Sequence, residues 1–147
     1  MKTDTARAAD IPELCALLAL LFEQEAEFKP DLASQERGLA MIIGNPELGR
    51  ILVLREHGRI AAMANLLFTV STALGARVAI LEDVVVRTDC RGRGLGHAML
   101  DAVCAFAKEH SIARITLLTD ADNARAQALY KAHGFEKSGM SVMRAFP

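Results

Sequence analysis

The sequence predicts a mixed α/β fold in which a central mixed, mostly antiparallel sheet is flanked by helices. Three observations carry this. Apolar residues at helical spacing open the chain, three apolar and partly β-branched runs then follow one another without an intervening helix, and a glycine-rich loop switches the pattern from strand back to helix. With 147 residues, 52% hydrophobic and 24% charged, the chain is expected to bury a core as one domain spanning 1–147, without disulfides or a structural metal.

From Ile11, apolar residues at Leu14, Leu18, Leu21 and Phe22 mark an amphipathic helix, and Asp10 with Glu13 has the spacing of a capping box. A loop with Lys29, Pro30 and Asp31 leads to a shorter helix, with Ser34 as N-cap, Leu39, Ile42 and Ile43 on one face, and Gly44-Asn45-Pro46 as its stop. Ile51 to Arg55 and Arg59 to Val70, separated by Glu56-His57-Gly58, read as an antiparallel hairpin. A third strand, Arg77 to Arg87, follows a turn near Gly75. Leu95, Met99, Ala102, Val103 and Phe106 then have helical spacing; Arg114 to Leu118 is a strand expected to lie parallel to the third, through a right-handed crossover. Asn123 to His133 is a helix ended by Gly134, and Phe135 to Phe146 is expected to supply one or two final strands.

Charge and composition narrow the function. A net charge of -1 gives no broad attraction for nucleic acid, so an anion site must be local. No run approaches the roughly 18 apolar residues of a membrane span, and Met1 to Ile11 has no apolar leader core, so no membrane partner is expected. Cys15, Cys90 and Cys104 are odd in number and lack CxxC spacing, which predicts free thiols in a reducing cytoplasm; only Cys90 borders a candidate site. His57, His97, His110 and His133 share no metal-ligand spacing and are assigned no chemistry.

The informative segment joins the valine strand to the following helix: Val84-Val85-Val86, then Arg91-Gly92-Arg93-Gly94-Leu95-Gly96-His97. Taken alone it is a tight strand-to-helix turn. Glycines also let backbone amides approach phosphate oxygens, the helix start leaves N–H groups unpaired at the positive end of its dipole, and Arg91 and Arg93 add charge. A dinucleotide fingerprint starting at Gly92 would need glycine or alanine at His97 and a βαβ unit around it; a nucleotide P-loop would need Lys followed by Ser or Thr. Neither pattern is present.

Arg91 to Gly96 resembles the R/Q-x-x-G-x-G/A acyl-CoA signature of the GNAT superfamily of N-acetyltransferases, and Asn123, Ala126, Leu129, Tyr130, Gly134 and Phe135 resemble its N-x-x-A-x-x-L-Y-x-x-x-G-F pattern. Two motifs in the right order are far more specific than either alone. The resemblance is strong over Ile80 to Phe135 and looser over the N-terminal helices and strands. It implies that acetyl-CoA is the cosubstrate with no metal, that amides from about Arg91 to His97 bind its diphosphate, and that the strand of Val84 and Val86 pairs with the pantetheine arm.

The same resemblance implies Tyr130 as general acid beside the coenzyme sulfur and Asn123 as a pantetheine ligand; plain alternatives are packing against Leu129 and helix capping shared with Asp122. Glu82, on the face of Val84 and Val86 if the strand is regular, is the candidate base, with Asp83 as a rival and pairing with an arginine as the structural alternative. Val84 N–H is the candidate donor to the thioester carbonyl. Glu23, Glu25, Glu27 and Asp31 lie where the family admits its acceptor, and they equally suit a solvated helix end. A small-molecule amine is the expected acceptor, ahead of a protein, and relatives imply a homodimer. The alternative is a noncatalytic acyl-CoA sensor of the same fold; a preference for longer acyl groups stays open.

Overall fold

The computed structural model describes residues 1–24 and 31–147. The strand β1 (Lys2–Thr5) precedes α1 (Ile11–Gln24) and α2 (Leu32–Ile43); β2 (Gly49–Glu56), β3 (Arg59–Ser71) and β4 (Ala76–Val86) form the meander; α3 (Leu95–Glu109), β5 (Ile115–Leu117) and α4 (Ala124–Ala132) complete the order. One five-stranded sheet runs β1-β2-β3-β4-β5, antiparallel except for the parallel β4–β5 pair.

Alternation along the strands sorts the core into two layers. Leu52, Leu54, Ala62, Ala64 and Leu66 face α3, where Leu95, Met99, Leu100 and Val103 cover them. Ile51, Val53, Ile60, Met63 and Val85 face the other way, against Leu14, Leu17 and Leu18 of α1 and Leu39 of α2. The β2–β3 hairpin turns through His57 and Gly58, both at positive φ, the geometry that matches the twist of its strands.

Several expectations are corrected. Asp10 and Glu13 do not form a capping box: the Asp10 carboxylate accepts Arg7 N–H at 2.7 Å and pairs through both oxygens with Arg55, while Glu13 accepts the backbone N–H of Ile60 at 2.9 Å. Tertiary partners have taken both carboxylates. The N-cap of α2 is Asp31, which accepts Ser34 N–H at 3.2 Å. β1 went unread because its sequence, Lys-Thr-Asp-Thr, has no apolar face; it is an edge strand held by the β2 ladder and an Asp4–Arg55 ion pair. No strand follows α4 among the described residues. Met140, Val142, Met143 and Phe146 have strand-like character, but they are exposed, and Gly139 interrupts the run.

The irregularity that matters for function is in β4. Asn65 pairs with Asp83 but Leu66 pairs with Leu81, so Glu82 is an extra residue, a β-bulge. The bulge flips the alternation, placing Leu81, Val84 and Val86 on the α3 face. The parallel pairing with β5 stops at Leu81–Leu117, directly before it. The two strands part there.

Candidate active site

Where β4 and β5 separate, a groove of about 1080 Å³ opens between the β4 edge, the Arg91–His97 loop, the β5–α4 connection and α4. The free edge of β4 follows from its register. Arg87 N–H bonds Ala61 C=O at 2.8 Å, so in the antiparallel alternation Val85 exchanges its bonds with Met63, while Val84 and Val86 direct their N–H and C=O groups away from β3. These groups face the groove as an edge available to an extended ligand. Val86 C=O accepts a 3.4 Å contact from Arg91 Nε.

The loop is built by Arg87, whose guanidinium donates to Asp89 at 2.6 Å, to Ile60 C=O at 3.1 Å and to Cys90 Sγ at 3.2 Å. This pins a short 3₁₀ turn, Thr88–Cys90, with Cys90 buried beneath it. Gly92 and Gly94 then take φ of +74° and +77°, which L side chains resist, and an added Cβ on either would meet only open space. The constraint is conformational, and it turns the chain into the first turn of α3. Gly96 has a different purpose: a Cβ there would lie 3.2 Å from Leu129 Cδ2, so its absence lets α3 and α4 approach.

Of the predicted anchor residues, Arg91, Gly92, Gly94, Leu95, Gly96 and His97 line the groove, as do Glu82, Val84, Val85, Val86, Asn123 and Tyr130. Arg93 is placed elsewhere. Its guanidinium is held by both oxygens of Glu56, with one contact at 3.0 Å, and it is not part of the groove lining. The charge expected from Arg93 is therefore neutralised by Glu56, and that hydrogen bond holds the Glu56 carboxyl below its ordinary range.

Asn123 caps α4, its Oδ1 accepting Ala126 N–H at 3.1 Å, a use that leaves its amide nitrogen outside the cap. Tyr130, half-buried on α4, packs edge-on against Phe135 with ring centroids 5.9 Å apart. Glu82 is exposed at the bulge, while Asp83 points to the α1 side and accepts Asn65 Nδ2 at 3.2 Å. Burial pushes the Asp83 carboxyl up to about 6, the Asn65 hydrogen bond opposing this and the nearby Glu82 charge adding to it. Glu23 is exposed at the end of α1 and Asp31 is occupied as a cap; Glu25 and Glu27, with Lys29 and Pro30, lie outside the described residues.

The groove also contains residues that sequence reasoning missed: Leu21 and Phe22 from α1, Arg125 from α4, and Val142 and Arg144 from the last segment. The sequence marks Leu21 and Phe22 only as apolar positions of an amphipathic helix, and it assigns Arg125 no role. Spacing could not distinguish these roles. Among the described residues, no group of three His, Cys, Asp or Glu side chains has metal-binding geometry, and no helix is long and apolar enough to cross a membrane.

A sheet split beside a glycine loop that feeds a helix N-terminus brings a strand edge and the amides of a helix start to one groove, chemistry that suits an extended, anionic ligand. Residues 12–135 match the acetyltransferase (GNAT) family, and the chain belongs to that family. It is 32% identical over 125 residues to the uncharacterized N-acetyltransferase YhfO of Bacillus subtilis (strain 168), covering 83% of each chain. Among solved structures it resembles the integron cassette protein HFX_CASS3 from the mobile metagenome of Cole Harbour Salt Marsh, with TM-score 0.84, 27% identity and coverage of 98% of this chain and 89% of that one. It shares its fold with a predicted acetyltransferase from Clostridium acetobutylicum whose structure is with acetyl-CoA, with TM-score 0.80, 21% identity and coverage of 98% and 95%.

Proposed function

We propose that the protein transfers the acetyl group of acetyl-CoA to a primary amine, a small molecule in preference to a protein. The carrying observation is the groove itself, which sets the Gly92–Gly94 loop, the outward Val84 and Val86 backbone groups and Tyr130 around one space. The residues fit acetyl-CoA: loop amides and Arg91 suit its diphosphate, and the β4 edge suits the amide groups of its pantetheine arm.

In this reading the amine attacks the thioester carbon from the α1 side, between Leu21, Phe22 and the bulge. The new C–N bond forms and the C–S bond breaks through a tetrahedral intermediate whose oxygen takes a hydrogen bond from Val84 N–H. The amine proton passes to the Glu82–Asp83 carboxylates, directly or through water. Tyr130 gives its phenolic proton to the departing thiolate and recovers it from solvent.

The test is a panel of primary amines incubated with acetyl-CoA, following free thiol release and acetylated product by mass spectrometry. Acetylated amine with stoichiometric thiol supports the enzyme. Binding of acetyl-CoA without turnover on any amine, or on peptide acceptors, would replace this reading with that of a sensor.

A further inference from the structure

Glu82 and Asp83 are adjacent carboxyls on the groove wall, and the sheet gives them unequal surroundings. Beyond the bulge Leu66 pairs with Leu81, a register that would set Asn65 opposite Glu82; the extra residue sets it opposite Asp83 instead. Asn65 also lies opposite Ile51 of β2, so its side chain stands on the sheet face that Ile51, Met63 and Val85 bury beneath α1. It is 4% exposed.

The Asn65 amide makes one side-chain hydrogen bond, from Nδ2 to Asp83 Oδ2 at 3.2 Å. That bond gives the two oxygens of Asp83 different surroundings. Among the described residues, the buried side-chain polar atoms without a partner are Gln35 Nε2 and Asn65 Oδ1. Asp83 Oδ1 has no partner there either and is not one of them, so it is open to the groove that Asp83 lines. The formal charge that acts on Asp83 is that of Glu82, another anion. Around the pair, α1 presents Leu21 and Phe22 with Glu23 exposed at its end, the last segment brings Arg144 to the groove and α4 brings Tyr130. An amide with a bare Oδ1 suits an apolar layer less well than leucine would. What the amide adds is a donor fixed on Asp83.

We infer that Asn65 is a positioning residue for the reaction, tying down Oδ2 of Asp83 and leaving Oδ1 to the ammonium of the acceptor, so that Asp83 and not Glu82 takes the proton. The inference rests on the acetyltransferase reading of the groove. The acceptor arrives as a cation, the charge that the two carboxylates lack. The first N–H bond to break frees the lone pair that forms the C–N bond, its hydrogen bonding to Oδ1 and passing on to water. The second, lost from the nitrogen once it carries the acetyl carbon, takes the same path. Oδ2 accepts from Asn65 throughout, so the carboxyl keeps one orientation in both of its charge states.

Asn65→Leu and Asn65→Val each remove the donor and place an apolar side chain in an apolar layer; native circular dichroism shows which of them fold. Two midpoints are then measured on the whole chain from about pH 5 to about pH 9: that of kcat/KM for an acetylated amine, and that of the Asp83 carboxyl carbon by NMR of aspartate-labelled protein, assigned by its loss in Asp83→Asn. A hydrogen bond to the ionised carboxylate favours that form, so both midpoints are expected to rise together by about 0.5–1.5 pH units, with kcat/KM falling roughly 3- to 30-fold below the midpoint. Glu82→Gln, which removes the neighbouring anion, is expected to move both the other way. A substitution that acted only through packing would lower kcat/KM evenly across pH and leave both midpoints in place. In wild type the side-chain amide signals of Asn65 should shift with the Asp83 midpoint, which reads the pair even if neither variant folds; amide signals indifferent to that titration overturn the inference. So does a carboxyl midpoint that moves without the rate midpoint, or two that stay fixed, and in each case the acetyltransferase reading stands. Absence of turnover by folded wild type on every amine overturns that reading and the inference with it.

Discussion

Glu56, the last residue of β2, grips the guanidinium of Arg93 across 37 residues of sequence, so the loop that starts α3 is tied to the β2–β3 hairpin. The pair is half-exposed at its arginine end, where ion pairs contribute little to stability. Arg93 thus acts on the loop's path, while in the proposed function it is the loop amides that meet the diphosphate.

This separates two variants. Gly94→Val forces a β-branched residue to φ near +77°, displacing the amides around it, and is expected to weaken acetyl-CoA binding by at least about tenfold. Arg93→Ala removes a charge that Glu56 already neutralises and is expected to change Kd by no more than about threefold. Both should keep native circular dichroism. Calorimetry showing equal affinity for wild type and Gly94→Val would remove the loop from the binding site.

Gly96 should behave differently from Gly94, although the two share a motif. Gly96→Ala places a methyl 3.2 Å from Leu129 Cδ2 and is expected to destabilise the fold by about 1–3 kcal/mol through crowding of α3 against α4. Leu129→Val in the same chain should recover part of that loss. Denaturant melts of the four proteins in a double-mutant cycle measure the coupling; additive effects would show that the contact is relieved elsewhere.

Much of this architecture was legible because local pattern and tertiary fold agree. The β2–β3–β4 meander, α3 and α4 announce themselves through apolar periodicity and the punctuation at His57-Gly58 and Gly134. Several misreadings share one cause, which is that their determinants are distant in sequence. Glu13 serves Ile60, Asp10 serves Arg55 and Glu56 serves Arg93, and no local rule can assign such partners. The bulge at Glu82 is similar, since a one-residue slip between β3 and β4 has no composition of its own. It nevertheless turns Asp83 toward Asn65, where burial raises its pKa. The His97–His133 contact likewise exists only because α3 and α4 pack.

Asp83 gives a pH prediction for stability and for rate. Its folded pKa of about 6 lies above the ordinary carboxyl value, so between the two the unfolded chain releases the proton first and stability falls as pH rises toward about 6. Asp83→Asn is therefore expected to stabilise the protein at pH 7 by about 1–3 kcal/mol and to have little effect at pH 4. If the carboxylate also receives the amine proton, wild-type kcat/KM rises through about pH 6 and that limb disappears in Asp83→Asn. Retention of the limb in Asp83→Asn and its loss in Glu82→Gln would move the base to Glu82.

The general-acid role is tested at Tyr130. Tyr130→Phe is expected to lower acetyl transfer by roughly 10²-fold or more while acetyl-CoA affinity changes little, the scale of losing a positioned proton donor. The phenylalanine ring preserves the edge-on contact with Phe135, so a large loss of rate cannot be assigned to a cavity. Rate and affinity must be measured on the same preparation. An acceptor amine of lower pKa distinguishes the two proton transfers, because it eases amine deprotonation and leaves the thiolate without its proton. Such an acceptor should fail to rescue Tyr130→Phe and should rescue the variant that lacks the base. Near-wild-type turnover in Tyr130→Phe, with the chemical step shown to limit the rate, would leave water as the proton donor and reduce Tyr130 to a packing residue of α4.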